Sequence, residues 1–260
     1  GLETARGLAE RFGTVGIVGR HAERLAQAAE ELASTPARIE TFRSDFTRLA
    51  EVRQLAEQVE QRFSSLEVLV NNAGAWYRSR STSEDGYEAT FAVNHLAHFL
   101  LTHELAGLLQ DSPPARIVTV SSVAHRQGRI HVDDLNLETA YGGYEAYAQS
   151  KLANVLFTRS LCARLDASGV TANSLHPGVI DTKLLRAGFS MKGASIEQGA
   201  ATSVYLAESP EVAGVSGLYF ANSAPEAPAS QAQNDRTAEW LWETSVAMIQ
   251  SALPDWSPRL

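Results

Sequence analysis

The residue types best suited to chemistry lie at 141–156, YGGYEAYAQSKLANVL, where three tyrosines fall within seven positions. Of Tyr141, Tyr144 and Tyr147, only Tyr147 has a lysine, Lys151, four residues further on. Because positions i and i+4 share one face of a helix, a helix here points this phenol and ammonium into one site. Such a pair is suited to proton transfer, since a cation favours the phenolate. The other two tyrosines are assigned to packing or to a pocket rim.

Short apolar runs alternate along the chain with longer stretches of helical pattern. Several runs are almost continuously apolar, as expected for strands buried on both faces of a parallel sheet. The alternation predicts an α/β fold, a doubly wound parallel sheet with helices on both faces, and one domain over 1–260. The predicted strands are 14–19, 37–42, 66–71, 115–120, 170–175 and 217–222. The predicted helices are 2–12, 21–34, 47–63, about 86–109, about 144–167, 196–208 and about 233–251.

Sheets of this kind bind ligands at the carboxyl ends of their strands. Arg20 follows the first predicted strand, where an arginine can hold the 2′-phosphate of NADP; the alternative is a solvated residue at a helix start. Asp45 follows the second strand and contacts an adenine, caps the next helix, or does both. After the third strand, Ala73 and Gly74 let a flat ligand approach the backbone, or form an ordinary turn.

The next two strand ends also carry polar groups. Ser122 follows the fourth strand, 25 residues before Tyr147. After the fifth strand, Pro177 and Gly178 fix a turn, and Thr182 can reach a phosphate or an amide. Compatible groups at five strand ends favour one shared site over coincidence.

The composition excludes several other classes of protein. With 44% hydrophobic and 20% charged residues, the chain is typical of a globular protein. The net charge of −8 disfavours binding to nucleic acid or to an anionic membrane. A single cysteine, Cys162, excludes an intrachain disulfide and a thiolate zinc cluster. No apolar run of about eighteen residues and no signal pattern are present, so we expect a cytoplasmic setting and no integral membrane segment.

Three histidines, His95, His98 and His103, lie on one predicted helix and raise the question of a metal site. They lack a carboxylate at a suitable spacing, so packing and capping are favoured, and no metal site is predicted.

Five motifs, NNAG, NHLAHFLLT, RIVTVSS, YAQSK and HPGVIDT, occur in an order and at separations that closely resemble the short-chain dehydrogenase/reductase family. The stretches NHLAHFLLTHEL, VAHRQGRIHVDDL and YAQSKLANVLFTRSL are similar to its retinol-dehydrogenase-like branch. The similarity runs from residue 1 to about residue 250. It implies a Rossmann-type fold and hydride transfer between a nicotinamide cofactor and a substrate.

The resemblance gives a role to each of four residues. Tyr147 matches the family's catalytic acid/base, and Lys151 matches the lysine that lowers the tyrosine pKa and binds the nicotinamide ribose. Ser122 matches the serine that holds the substrate oxygen, and Asn94 the asparagine of a water-linked proton relay. Hydride transfer to a carbonyl leaves an alkoxide, which needs a proton and an aligned donor. A free tyrosine has a pKa of about 10, so we expect Lys151 to bring it closer to working pH.

The resemblance also implies NADP(H) as the cofactor, and a homodimer or homotetramer. Family members commonly associate through the helices predicted here at about 86–109 and 144–167. The cofactor-binding residues that the resemblance and the strand ends indicate are Gly1, Arg20, Asp45, Phe46, Asn72, Ala73, Gly74, Tyr147, Lys151, Pro177, Gly178, Ile180 and Thr182.

The chain departs from the family at its start. Gly1 matches the last glycine of a TGxxxGxG turn that wraps the cofactor pyrophosphate, so the family's first strand and most of this turn are missing. In the family's strand order, 3-2-1-4-5-6-7, that strand lies between those predicted at 14–19 and 66–71. We therefore expect an interrupted sheet and weakened binding of the pyrophosphate.

The expected activity is NADP-dependent interconversion of an alcohol and an aldehyde or ketone. The segment KLLRAGFSMKG, 183–193, is expected to form an apolar lid, which favours a small lipophilic substrate; the alternative is a surface loop. Two other functions stay open: reduction of a carbon–carbon double bond on the same fold, and an inactive fragment or scaffold without the phosphate-binding turn.

Overall fold

A computed structural model describes residues 1–165, 168–182, 185–186 and 193–260. Within these ranges, strands and helices alternate as the sequence predicts, with small shifts at their ends and one larger difference over 86–109. The strands are β1 (Thr14–Gly19), β2 (Arg38–Arg43), β3 (Val68–Asn71), β4 (Ala115–Val120), β5 (Val170–His176), β6 (Tyr219–Ala221) and β7 (Ala224–Pro225). The helices are α1 (Leu2–Ala9), α2 (Ala22–Leu32), α3 (Leu49–Arg62), α4 (Ala89–Phe91), α5 (Ala97–Glu104), α6 (Ala106–Gln110), α7 (Gly143–Arg164), α8 (Ile196–Glu208) and α9 (Asp235–Ala252).

The strands form parallel sheets that carry helices on both faces. β1 pairs with β2, and β3, β4, β5 and β6 pair in that order, all in parallel; β7 is antiparallel to β6. Successive residues of a strand point to opposite faces: Ile117 of β4 packs with α3, α5, α7 and α9, and Val118 packs with α1 and α8. The doubly wound α/β fold is thus confirmed.

The sheet is interrupted between β1 and β3. In the described ranges, β1 pairs only with β2, and β3 pairs only with β4. Both strands line one cavity of about 1370 Å³. Val18 of β1 is 43% exposed, although its strand has the apolar sequence of a buried one. The expected break in the sheet is found at this position.

The segment predicted as one helix over 86–109 is divided. After α4, Ala92–Leu96 form a π-helical turn, and α5 and α6 follow it. A π turn inserts an extra residue into the helical repeat and is frequent at functional sites. Hydrophobic periodicity does not report such an insertion, so the prediction of an unbroken helix is wrong here. Asn94 lies within this turn.

The helices expected to face a partner copy are largely covered within the chain itself. Every residue of α5 is buried. α5 packs against α3, and α7 packs against α9. Phe99, Phe157 and Trp242 join α5, α7 and α9 through ring contacts of 4.8–5.9 Å between centroids. The association through these helices that the resemblance implies stays a prediction.

The expected lid at 183–193 lies outside the described residues, apart from Leu185, Arg186 and Gly193. It therefore stays a prediction.

Candidate active site

Tyr147 and Lys151 lie one turn apart on α7, as their spacing predicts. Both side chains are buried, with 8% and 3% of their residues' surfaces exposed. The Lys151 Nζ atom is 5.8 Å from the centre of the Tyr147 ring. The helix therefore holds the phenol and the ammonium at one place, close to the ends of β4 and β5, against which it packs.

Burial, rather than the neighbouring cation, dominates the acidity of Tyr147. Loss of hydration disfavours the phenolate and raises the pKa of Tyr147 above its usual value of about 10. A hydrogen bond from the Ser122 hydroxyl acts in the opposite direction and lowers this pKa, but less strongly. The expectation that Lys151 brings the pKa of Tyr147 below its usual value is therefore wrong for this structure.

Lys151 is a buried cation with a carbonyl as its hydrogen-bond partner. Its Nζ atom donates to the Val120 carbonyl oxygen at 2.9 Å, at the end of β4. Burial lowers the pKa of Lys151 to about 8. A Cβ atom added to Gly74 would lie 3.6 Å from the Lys151 Nζ. The NNAG turn therefore passes close to the Lys151 ammonium group, and a side chain at position 74 would occupy part of the space next to it.

Asn94 is held by contacts to two different segments. Its Oδ1 accepts a hydrogen bond from the Ala75 N–H at 2.7 Å, and its Nδ2 donates to the Ala75 carbonyl at 3.0 Å. The Nδ2 also donates to the Ser150 Oγ at 2.9 Å, and this hydroxyl donates to the Tyr147 carbonyl at 2.8 Å. Asn94 thus joins the turn after β3 to the part of α7 that carries Tyr147.

Ser122 starts a short 3-10 helix, Val123–Gln127, directly after β4. Its Oγ accepts a hydrogen bond from the Ala124 N–H at 3.2 Å and lies in hydrogen-bonding contact with the Tyr147 hydroxyl. The preceding serine, Ser121, instead donates to the Lys151 carbonyl at 2.6 Å. The first serine of the SS pair is thus structural, and the second presents its hydroxyl to the tyrosine.

The cavity between β1 and β3 collects most of the residues predicted to bind a cofactor. It extends along both strands to their carboxyl ends, where Ala75, Trp76 and Tyr77 also line it. Trp76 packs against the cluster that contains Tyr147, so the cavity reaches the neighbourhood of this tyrosine. The predicted cofactor-binding residues that line the cavity are Gly1, Arg20, Asp45, Phe46, Asn72, Ala73 and Gly74.

Arg20 and Asp45 face each other at the ends of β1 and β2. Arg20 is exposed, and its Nε donates to the His21 Nε2 at 3.1 Å. Asp45 accepts hydrogen bonds from the Thr47 N–H and hydroxyl at 3.0 and 2.9 Å. Asp45 therefore closes a turn before α3 rather than capping the helix. The first N–H of α3, on Leu49, donates instead to Asp85 at 3.0 Å.

The residues after β5 form a separate wall. Gly178 adopts a left-handed conformation with φ of +94°, which favours glycine at this turn. Ile180 bridges to Ala194, and the Thr182 hydroxyl accepts a hydrogen bond from the Leu185 N–H at 3.2 Å. Pro177, Gly178, Ile180 and Thr182 are not part of the described lining of the cavity. Their predicted contact with a cofactor stays a prediction.

Comparison with known proteins places this site in a family. A family model described as short chain dehydrogenase matches residues 1–193. The chain belongs to the short-chain dehydrogenase family. Retinol dehydrogenase 14 of Homo sapiens is 43% identical over 219 residues, which cover 79% of this chain and 65% of the relative. Retinol dehydrogenase 13 of Homo sapiens is 38% identical over an alignment of 272 positions, which covers 98% of this chain and 82% of the relative.

Two solved structures have a fold similar to that of this chain. A Mycobacterium paratuberculosis protein has a TM-score of 0.80 and 32% identity, over 96% of this chain and 89% of its own. The RhlG protein of Pseudomonas aeruginosa, solved as an NADP active-site complex, has a TM-score of 0.70 and 25% identity. That match covers 85% of this chain and 90% of RhlG. This member of the family spans about 65% of the length of retinol dehydrogenase 14.

The three histidines of the segment around α5 lie among aromatic rings. His95 contacts Phe91 with 4.9 Å between ring centroids, His103 contacts Phe99 at 4.5 Å, and His98 meets Phe46 edge-on at 6.0 Å. Over the described ranges, His, Cys, Asp and Glu do not form a group of three or more that could hold a metal ion. None of the described helices is long and apolar enough to cross a membrane.

Sequence reasoning missed three contributors to this family site. Ala75 takes part through its backbone, which leaves no signal in the side-chain pattern. Ser150 precedes Lys151 and lies three residues after Tyr147, so helical spacing could have indicated it. His125, which contacts Ser122 at 2.7 Å, lies three residues after that serine.

Proposed function

We propose that this chain is an NADP-dependent oxidoreductase that interconverts an alcohol and an aldehyde or ketone on a small lipophilic substrate. The observation that carries this proposal is the hydrogen-bonding contact between Tyr147 and the half-buried Ser122, with the buried Lys151 one helical turn from Tyr147. This group lies beside a cavity that β1 and β3 line. Membership in the short-chain dehydrogenase family supports the reaction class. Similarity to retinol dehydrogenases supports the lipophilic substrate.

The protein's own groups would handle the substrate oxygen and its proton. The Ser122 hydroxyl donates a hydrogen bond to this oxygen, which stabilises negative charge as it develops. The Tyr147 hydroxyl gives the oxygen a proton during reduction and takes it back during oxidation. Since burial raises the pKa of Tyr147, the phenol is held in its protonated form, ready to donate. A bound nicotinamide cofactor would supply or accept the hydride.

Lys151 and Asn94 would support the proton transfer from behind the tyrosine. The Lys151 ammonium lies 5.8 Å from the Tyr147 ring, so it stabilises the phenolate that remains after donation. Asn94 fixes the turn at Ala75 and, through Ser150, the backbone of Tyr147. During reduction, a water-linked relay past Asn94 and Lys151 would carry a proton from the solvent to the Tyr147 phenolate; during oxidation, it would carry the proton from Tyr147 to the solvent.

The residues that line the cavity fit a dinucleotide with an additional phosphate. Arg20 and Arg24 border the cavity at the end of β1 and supply positive charge for a 2′-phosphate in a chain whose net charge is −8. Gly74 keeps the NNAG turn free of a side chain next to Lys151. RhlG, a solved neighbour of similar fold, was obtained as an NADP complex. Gly1, which lines the cavity at the start of α1, would contact the pyrophosphate.

The decisive experiment is a titration of the chain with NADPH, followed by cofactor fluorescence, with NADH as the comparison. We expect saturable binding that prefers NADPH, and a loss of this preference in Arg20→Ala. Arg236→Ala is the matched control, because Arg236 is exposed on α9 and outside the cavity lining. Equal binding of both cofactors would contradict the NADP assignment.

Turnover tests the chemistry separately from binding. With a panel of lipophilic aldehydes and NADPH, Tyr147→Phe should bind the cofactor normally and lose activity by at least about 100-fold, the usual contribution of a general acid. Tyr144→Phe is the control, since Tyr144 lies on the same helix and is 39% exposed. Near-normal turnover by Tyr147→Phe would reject the assignment.

The proposal also includes a cytoplasmic location for this protein.

A further inference from the structure

His125 is a fully buried side chain that touches the substrate-binding serine from behind. It lies on the 3-10 helix Val123–Gln127, with 0% of its surface exposed. Its Nδ1 is 2.7 Å from the Ser122 carbonyl oxygen, and its Nε2 is 3.1 Å from the Ala229 backbone nitrogen. Both ring nitrogens are therefore used, each by a backbone group of a different segment.

These two contacts fix the proton on the ring. A carbonyl oxygen only accepts hydrogen bonds and a backbone N–H only donates them, so Nδ1 carries the proton and Nε2 is the acceptor. Burial lowers the pKa of His125, which also favours the neutral ring. Arg126, Glu226 and His176 are the charged or titratable groups that face it, and the ring of Tyr219 covers it at 4.7 Å between centroids.

The two segments joined by His125 meet through further contacts. Arg126 donates to the Ala227 carbonyl at 2.8 Å and forms an ion pair with Glu226. The segment 226–229 is thus joined to the 3-10 helix at several points. Among the residues that the structure describes, the Ser122 carbonyl accepts hydrogen bonds only from the N–H and the Nδ1–H of His125. The His125 ring therefore links the backbone of Ser122 to the segment 226–229.

We propose that His125 is a positioning residue that holds Ser122 in place, so that the Ser122 hydroxyl stays hydrogen-bonded to the Tyr147 hydroxyl. The proposal rests on the function proposed above for Ser122 and Tyr147. Through its Nδ1–H, His125 fixes the Ser122 carbonyl, and this restricts the backbone that carries the Oγ. The Ala229 contact holds the ring at the angle that this hydrogen bond requires.

Two substitutions separate the two contacts of His125. In His125→Asn, the side-chain amide nitrogen takes the place of Nδ1 and can donate to Ser122, but the side chain is too short for Ala229. In His125→Gln, the longer amide reaches the place of Nε2 and can accept from Ala229, while the donor to Ser122 is lost. Each variant loses one hydrogen bond, so we expect similar decreases of the melting temperature.

The kcat values of His125→Asn and His125→Gln should differ, although their melting temperatures are expected to be similar. We expect His125→Asn to keep kcat within about threefold of the parent and His125→Gln to lose about tenfold or more in kcat, with a smaller change in KM, as loss of one aligned hydrogen bond predicts. His131→Gln is the control, because His131 is a partly exposed residue that pairs with Glu145 at 2.9 Å. Equal kcat values for the two variants would overturn the proposal.

The phenol pKa of Tyr147 gives a readout that needs no turnover. It is measured by ultraviolet difference titration of each protein against its own Tyr147→Phe version. Since the Ser122 hydrogen bond lowers this pKa, we expect a higher value in His125→Gln and an unchanged value in His125→Asn. If this difference is found but the parent reduces no carbonyl compound, the proposed function fails and the positioning role stands. If the pKa is equal in all three proteins, the positioning role is rejected.

Discussion

The Nζ atom of Lys151 lies 2.9 Å from the carbonyl oxygen of Val120, and this contact, rather than a carboxylate, holds the ammonium in the fold. The side chain is 3% exposed, and burial lowers its pKa to about 8. At neutral pH the protein therefore keeps a cation in a place that disfavours charge. A group of this kind reduces stability while it serves the site.

Replacing this cation should stabilise the protein. The pKa of Lys151 is about 8, against 10.5 for an ordinary lysine, so the buried charge lowers the free energy of unfolding by about 3 kcal/mol at pH 7. Replacing Lys151 removes this penalty but also removes its hydrogen bond, which contributes about 1 kcal/mol of stability. We therefore expect Lys151→Met to raise the free energy of unfolding by about 2 kcal/mol in urea titrations at pH 7, while reductase turnover is lost.

The pH dependence supplies the control for this variant. Between about pH 8 and 10.5, the unfolded parent binds a proton at Lys151 that the folded parent has released, so parent stability rises with pH. Lys151→Met lacks this rise, and its advantage should shrink towards pH 10. A Lys151→Met protein that is less stable than the parent at pH 7 would show that the ammonium contributes net stabilisation.

The amide of Asn94 should matter for stability as well as for the proposed relay. It makes two hydrogen bonds to the Ala75 backbone and one to Ser150. Asn94→Ala leaves these groups short of partners, so we expect a loss of about 1–3 kcal/mol in the free energy of unfolding. The measurement is urea denaturation, with Asn94→Asp as a second variant that keeps only the acceptor.

A surface asparagine provides the comparison for Asn94. Asn234 accepts one hydrogen bond from the Thr237 N–H at 3.0 Å, at the exposed start of α9. Asn234→Ala removes only this helix cap, so we expect a loss of about 1 kcal/mol, without effect on turnover. If Asn94→Ala cost less than Asn234→Ala, the contacts to Ala75 would not be important for stability.

Local sequence signals located some elements to the residue. The prediction of α8 at 196–208 is confirmed, because Ser195 and Gln198 form a capping box that fixes its start. α3 begins at Leu49 rather than at the predicted residue 47, and its first N–H is bound by Asp85, 36 residues away. Contacts over such distances have no local pattern.

Within the site, the spacing of Tyr147 and Lys151 predicted where they lie but not the pKa of Tyr147. The spacing reports a neighbouring cation, whereas the pKa depends also on burial, which only the folded structure determines. The same limit applies to the π turn at Asn94 and to the backbone of Ala75. Their contributions come from geometry rather than from residue type.

Because one edge of β1 is exposed, we expect this apolar strand to tolerate a polar substitution at Val18. Val18 is 43% exposed at the cavity, whereas Val118 of β4 is 1% exposed. We expect Val18→Thr to change the free energy of unfolding by less than about 0.5 kcal/mol, and Val118→Thr to lower it by about 1–3 kcal/mol through a buried hydroxyl. Equal losses in urea titrations would mean that β1 is covered on both faces in solution.

Acid should destabilise the protein well before its carboxylates titrate. Burial lowers the pKa of His95, His98 and His103 to about 3, so none of them binds a proton in the folded state at pH 5. In the unfolded chain they bind protons below about pH 6.5. Between pH 6.5 and 5, the unfolded state therefore binds protons that the folded state does not bind. As the pH decreases, the free energy of unfolding falls by up to about 1.4 kcal/mol per pH unit for each histidine.

The measurement is urea denaturation at half-unit steps from pH 6.5 to 5.0, where most carboxylates are still ionised. His98→Leu tests the cause, because it removes one of the three proton acceptors from a position that is 1% exposed. We expect the slope of unfolding free energy against pH to decrease by about one proton equivalent in this variant. An unchanged slope would assign the acid sensitivity to other groups, since the histidine that the variant lacks can no longer contribute to it.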